Sequence, residues 1–209
     1  MGILAKSLSY CRYFVRGELP ADFSSWVTER LQRFQFQEID DEQGEKSSGW
    51  VQLNNLLQAD FSDGLAIKGE YVAFSLRIDT RRVPPALLRK HYLLAERQVR
   101  QQQRFRPLSR TQQQELKRAV ARDLLARQLP QPSLYDVVWQ PASRRLWLFA
   151  TSPKVREIFE TLFRETFELD LFLLFPYTLA QDLLPQEASL ERLELIDPTI
   201  FITSLPTRT

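Results

Sequence analysis

YVAFSLRIDTRRVPP, residues 71–85, decides how the chain is laid out. Val72, Phe74, Leu76 and Ile78 alternate with Ser75, Arg77 and Asp79, which predicts a strand with one buried face and one wet face. The strand ends at Arg81-Arg82-Val83, because Pro84-Pro85 can begin a helix but cannot continue one. The residue class also changes here, from alternating β-formers to a long helical pattern rich in arginine.

That helix is expected from about 85 to 104. Leu88, Tyr92, Ala95 and Val99 form a narrow apolar seam, while Lys90, Arg97 and Arg104 recur every seven residues on another face with Arg100 beside them. Pro107 breaks it. Ser109 and Gln112 have the spacing of a capping box and open a second helix to about Leu129, with Leu116, Val120 and Leu124 as its seam. Two helices on thin seams make an αα-hairpin that projects from the body over residues 84–129.

On either side the pattern is mixed. Residues 3–16 read as a strand ending at Gly17. FSSWVTERLQRF gives a helix capped by Ser24 or Ser25, with Phe23 as staple and Val27, Leu31 and Phe34 on one face. Residues 40–49 read as a polar loop, followed by a short strand at SGWVQL. Beyond Pro132, residues 135–151 predict a β-hairpin about Pro-Ala-Ser. Ser152-Pro153 then starts a helix with Val155, Ile158, Phe159, Leu162 and Phe163 facing inward. LDLFLLFPYTL (169–179) is apolar on both faces and predicts a central or covered strand. The order is β-α-β-β, the helical hairpin, then β-β-α-β. It implies an α+β fold, an antiparallel or mixed sheet backed by helices, in which residues 1–83 and 130–209 form the body.

Charge is unevenly placed. The 209 residues carry a net charge of +2, yet between Arg81 and Arg127 there are 13 basic residues against three acids, leaving the rest of the chain at −8. Such polarity orients an anionic partner toward one part of the molecule. Arg97, Arg100, Arg104, Arg106 and Arg110 run along the first helix and its turn, and Lys90, Lys117, Arg118 and Arg122 extend the patch. Arginine and lysine neutralise phosphates without base-specific geometry, and the glutamines at 98, 101–103 and 112–114 add neutral donors. Aromatic residues are sparse on the hairpin, so duplex binding through phosphates fits it better than base stacking.

Catalytic equipment is thin. One histidine (His91) and one cysteine (Cys11) give neither a metal set nor a Cys–His pair, and the six glycines form no phosphate loop. No catalytic residue, metal or cofactor is expected. The carboxylates of Asp40-Asp41-Glu42 and of Asp60 and Asp63 keep a metal-dependent nuclease as the weakest alternative. No stretch is long and apolar enough for a membrane span. The N-terminus lacks the apolar core of a signal peptide, and the single cysteine fits a reducing compartment.

Four segments together resemble the RdgC family of bacterial recombination-associated proteins. They are Ser48-Gly49-Trp50-Val51, LSRTQQQELKRAVARDLLARQLP (108–130), VVWQPASRRLWLFATS (137–152) and KVREIFETLFRETFELDLFLLFPYTLA (154–180). The resemblance spans about residues 48–180 and rests on order and spacing. It implies a cytoplasmic, nucleoid-associated protein that binds double-stranded DNA without sequence preference, dimerises around it, and restrains a RecA-type recombinase without catalysing a reaction. It places the hairpin at the tip where the homodimer closes, with Phe105 and Leu108 as contact candidates; packing of these two within their own hairpin is the simpler role. The alternative from another class is an interaction module whose basic hairpin docks on an acidic protein.

Overall fold

The computed structural model describes residues 3, 5–39, 45–102, 107–183, 193, 195 and 196. Its elements are β1 (Cys11–Arg16), α1 (Phe23–Arg33), β2 (Lys46–Gln52), β3 (Ile67–Lys68), β4 (Tyr71–Thr80), α2 (Pro85–Gln102), α3 (Arg110–Ala126), β5 (Gln131–Gln140), β6 (Arg145–Leu148), α4 (Pro153–Phe167), β7 (Asp170–Leu174) and α5 (Pro176–Leu183). Seven strands form one sheet in the order β2-β4-β5-β6-β1-β7, with β3 also on β4, and every strand pair is antiparallel. The α+β architecture is as the sequence implies.

The core lies between this sheet and the helices α1 and α4. Helix α4 repeats a large apolar residue every fourth position, and Val155, Phe159, Phe163 and Phe167 are all buried. Their rings meet those contributed by the strands and by α1. Trp139 packs edge-on against Phe163 and Phe167, Phe23 packs edge-on against Trp139 at 5.2 Å, and Trp50 does the same with Phe74 at 5.0 Å. Tyr13 is fully buried in the same layer; its hydroxyl donates to Glu160 at 2.8 Å, and burial together with that bond pushes its pKa up.

Several local expectations are corrected. β1 starts at Cys11, not residue 3: Ile3 is held elsewhere, its N–H donating to the buried carboxylate of Asp136 on β5 at 2.8 Å. The N-cap of α1 is Asp22, with no side-chain capping bond, and Phe23, partly buried at the first helical position, packs against the core. β2 begins within the expected loop, at Lys46, because Gly49 and Trp50 pair with Arg77 and Leu76 of β4 and draw the preceding serines into register.

β4 is buried on both faces. Ser75, Arg77 and Asp79, expected to be wet, are 0%, 7% and 1% exposed. Loops close over them. The Asn54 N–H donates to Ser75 Oγ, Ser75 donates to Asp136 at 2.7 Å, and Arg77 forks onto Asp79 at 2.7 and 2.8 Å. Arg77 also reaches the Leu56 carbonyl and Glu38, and its guanidinium lies 3.9 Å from the centre of the Phe36 ring. A buried charge survives only when its donors are satisfied, and this arginine is held at five points by four residues.

β7 is an outer strand, not a central one, and Pro176 starts α5 where a continuing strand was expected. Five residues paired on one side leave half their side chains outside the core, and Phe172 is 42% exposed. Helix α4 ends without glycine, through Glu168 in the left-handed conformation (φ 55°), anchored by Arg30 at 2.7 Å.

Candidate nucleic-acid interface

Thr80 and Gln131 are the last pair of the β4–β5 ladder, so the hairpin leaves and re-enters the sheet at one end. The fork at Ser109 has the full capping box: Ser109 Oγ accepts the Gln112 N–H, and the Gln112 side chain accepts the Ser109 N–H at 3.0 Å. This satisfies donors that the start of α3 would otherwise leave open. The two helices pack on each other, yet α2 buries none of its residues fully and α3 buries Leu124.

The structure distributes the expected cations over three surfaces. Between the helices lies a groove of about 550 Å³ with Leu88 and Tyr92 on its floor, which brings Arg110 and Lys117 together with Arg89. On the other flank of α2, Lys90 and Arg97 line a shallow cleft of about 700 Å³ around Leu93 and Leu94, again with Arg89. Arg122 sits at the root of the hairpin beside Arg81, Arg82 and Glu45. Arg118 is exposed on α3. Arg100 is exposed and bridges Glu96 at 2.9 Å, one turn back on α2. Arg104, Phe105 and Arg106 lie outside the described residues.

Arg89 was missed in the sequence and belongs to two of these surfaces. The seven-residue spacing that picks out Lys90 and Arg97 passes over its neighbour, although one helical step carries Arg89 about 100° round to the flank that both grooves share. Leu93 and Leu94 were missed too, at 53% and 49% exposed. They stand on the Lys90–Arg97 face, away from the seam that meets α3. Leu108, the candidate tip contact, is 6% exposed and packs within the chain, with Gln113 Nε2 donating to its carbonyl at 3.1 Å.

The carboxylates of the nuclease alternative are engaged in turns. Asp60 accepts the Ser62 N–H and hydroxyl at 2.9 and 2.8 Å, which hold its pKa below the ordinary carboxylate value, and Asp63 accepts the Leu65 N–H and the Gln52 side chain. Asp40, Asp41 and Glu42 lie outside the described residues. Among the described residues no group of three or more potential metal ligands gathers, and no helix is long and apolar enough to cross a membrane.

A search of curated proteins finds no match to the chain. A family model described as "Putative exonuclease, RdgC" matches residues 13–183, from β1 through the hairpin to the end of α5. The match covers all but the first two residues of the sheet, both core helices and the basic arm, and the chain therefore belongs to the RdgC family of recombination-associated proteins.

Proposed function

We propose that this RdgC-family protein binds duplex DNA without sequence preference through its basic hairpin, and that a coated duplex restrains a RecA-type recombinase. The observation that carries this reading is the exposure of Arg89, Lys90, Arg97, Arg110, Lys117, Arg118 and Arg122 on both helices of one arm. Phosphate neutralisation needs charge along a line, and these cations supply it from two adjacent helices. No part of this function requires a bond to be broken, so the protein acts by occupancy and not as an enzyme. The exposed Leu93–Leu94 pair gives a homodimer an apolar contact on the described part of the arm.

The test is fluorescence anisotropy of a random-sequence duplex at several salt concentrations, comparing wild type with Arg89→Ala/Lys90→Ala/Arg97→Ala. Log affinity falls with log salt in the wild type, and the triple variant has a slope shallower by about two to three units, near 0.9 per lost phosphate contact. Absence of salt-sensitive binding would turn the arm over to an acidic protein partner. Magnesium-dependent shortening of the duplex would restore the nuclease reading.

A further inference from the structure

The face of the sheet opposite α1 and α4 is divided in two. Over β4 and β5 it is closed, by the loop carrying Asn54 and Leu56 and by the segment that binds Asp136 through Ile3. Over β6, β1 and β7 the described residues leave it more open: Arg12 and Arg16 are exposed, Phe172 is 42% exposed, and Phe14, Arg145 and Trp147 are partly buried.

Strand register sorts the open part into rows. Arg145, Phe14 and Phe172 stand side by side across β6, β1 and β7, and Trp147, Arg12 and Leu174 form the next row. Residues two apart on a strand share a face and neighbouring strands lie roughly 5 Å apart, so the rows make one continuous surface. The Arg16 guanidinium sits over the Phe172 ring, 4.3 Å from its centre, and Arg145 lies 5.3 Å from the centre of Phe14. Above the second row, Tyr10 and Phe149 extend the aromatic surface as a tilted pair 5.8 Å apart. A cleft of about 470 Å³ opens along the outer strand, lined by Phe14, Arg16, Phe172, Phe175 and Thr178. Asp170 faces Arg16 in the register and has Arg164 at 3.4 Å.

We propose that the β6-β1-β7 face is a second nucleic-acid site, selective for single strands, on which bases stack against the Phe14–Phe172 row while Arg12 and Arg16 hold phosphates. A duplex keeps its bases stacked inside, so it has nothing to give exposed rings; an unpaired strand offers a π-face at every nucleotide. Antiparallel sheets with aromatic residues on an uncovered face serve this purpose in other folds. The guanidinium over Phe172 strengthens the assignment, because a stacked arginine keeps its in-plane N–H donors available for phosphate. A two-fold contact of the chain with itself centred on Arg12 and Arg16 would set like charges against each other. The site is separate from the duplex surface on the hairpin and does not depend on it.

The experiment uses the full chain and two labelled probes, a short oligodeoxythymidylate and the matching oligouridylate, alongside the random duplex. Phe172→Ala/Arg16→Ala, both at exposed positions, should weaken single-strand binding about tenfold or more, with duplex affinity changed less than about twofold. Arg12→Ala should weaken it in the same sense. The hairpin triple variant should show the opposite selectivity, and loss of single-strand binding in the sheet variants alone supports this site even where the hairpin reading fails. Similar affinity for the two probes makes the ligand any single strand; a preference for one names its source. The proposal is overturned if the wild type does not bind the oligonucleotides, if the sheet variants bind them unchanged, or if duplex and single-strand affinity fall together. A change in sedimenting mass in Phe172→Ala/Arg16→Ala would also overturn it, by making the face a protein interface.

Discussion

The indole N–H of Trp50 donates to the hydroxyl of Thr166 at 2.8 Å, joining β2 to α4 across the core. Both residues are fully buried, and Thr166 in turn donates to the Leu162 carbonyl at 2.7 Å. Thr166→Val keeps the volume and strands the indole donor without water. We expect a loss of about 1–3 kcal/mol, the cost of an unpaired buried polar group, seen as a lower urea midpoint with an unchanged slope.

Gly49 allows the backbone of Phe36 to lie against β2. A methyl group at this position would run into that backbone, which is held by the Phe36 N–H to Trp50 carbonyl bond at 2.8 Å. Gly49→Ala should cost about 1–3 kcal/mol or more, because backbone cannot swing aside as a side chain can. A thermal melt checks this. A melting temperature equal to wild type would mean that the 34–38 segment does not pack there.

The buried hydroxyl of Tyr13 gives the protein a sensitivity to alkali. Burial and the bond to Glu160 raise its pKa in the folded state above the ordinary value near 10. Above pH 10 the unfolded chain loses this proton while the folded chain keeps it. Stability contributed by Tyr13 is therefore intact below pH 10 and falls as pH rises beyond it, by about 1 kcal/mol per pH unit. Tyr13→Phe should remove that part of the alkaline slope in denaturant titrations repeated from pH 9 to about pH 11.

The ion pair between Arg100 and Glu96 partly occupies one of the hairpin's cations. A pair one helical turn apart whose arginine is exposed holds that arginine weakly, by about 0.3–0.5 kcal/mol. Glu96→Gln should therefore tighten duplex binding modestly and steepen its salt dependence, since it frees Arg100 and removes a repelling charge. Equal salt slopes in wild type and variant would place Arg100 outside the phosphate line.

The long periodic segments were readable because a local period governs them. In α4 the fourfold spacing of Val155, Phe159, Phe163 and Phe167 states both the helix and its buried face, and Ser109 and Gln112 announce the start of α3. The Pro84-Pro85 break places the hairpin between two strands that turn out to be neighbours. β4 was legible as a strand, while the fate of its polar face was not. Whether Arg77 meets water or the Phe36 ring depends on loops far away in sequence.

The sequence by itself determined which segments are helix and strand in the core, where the basic arm is inserted, and that this arm concentrates the positive charge. Those properties follow from spacing and residue type within a few turns of chain. Only the tertiary structure decided the rest. It set β7 at the edge of the sheet, divided the cations of the arm among separate grooves with Arg89 common to two, and aligned Phe14, Phe172 and Arg145 from three strands in one row. Strand order and register are long-range choices, fixed by which faces the whole core can bury together, and no local pattern carries them.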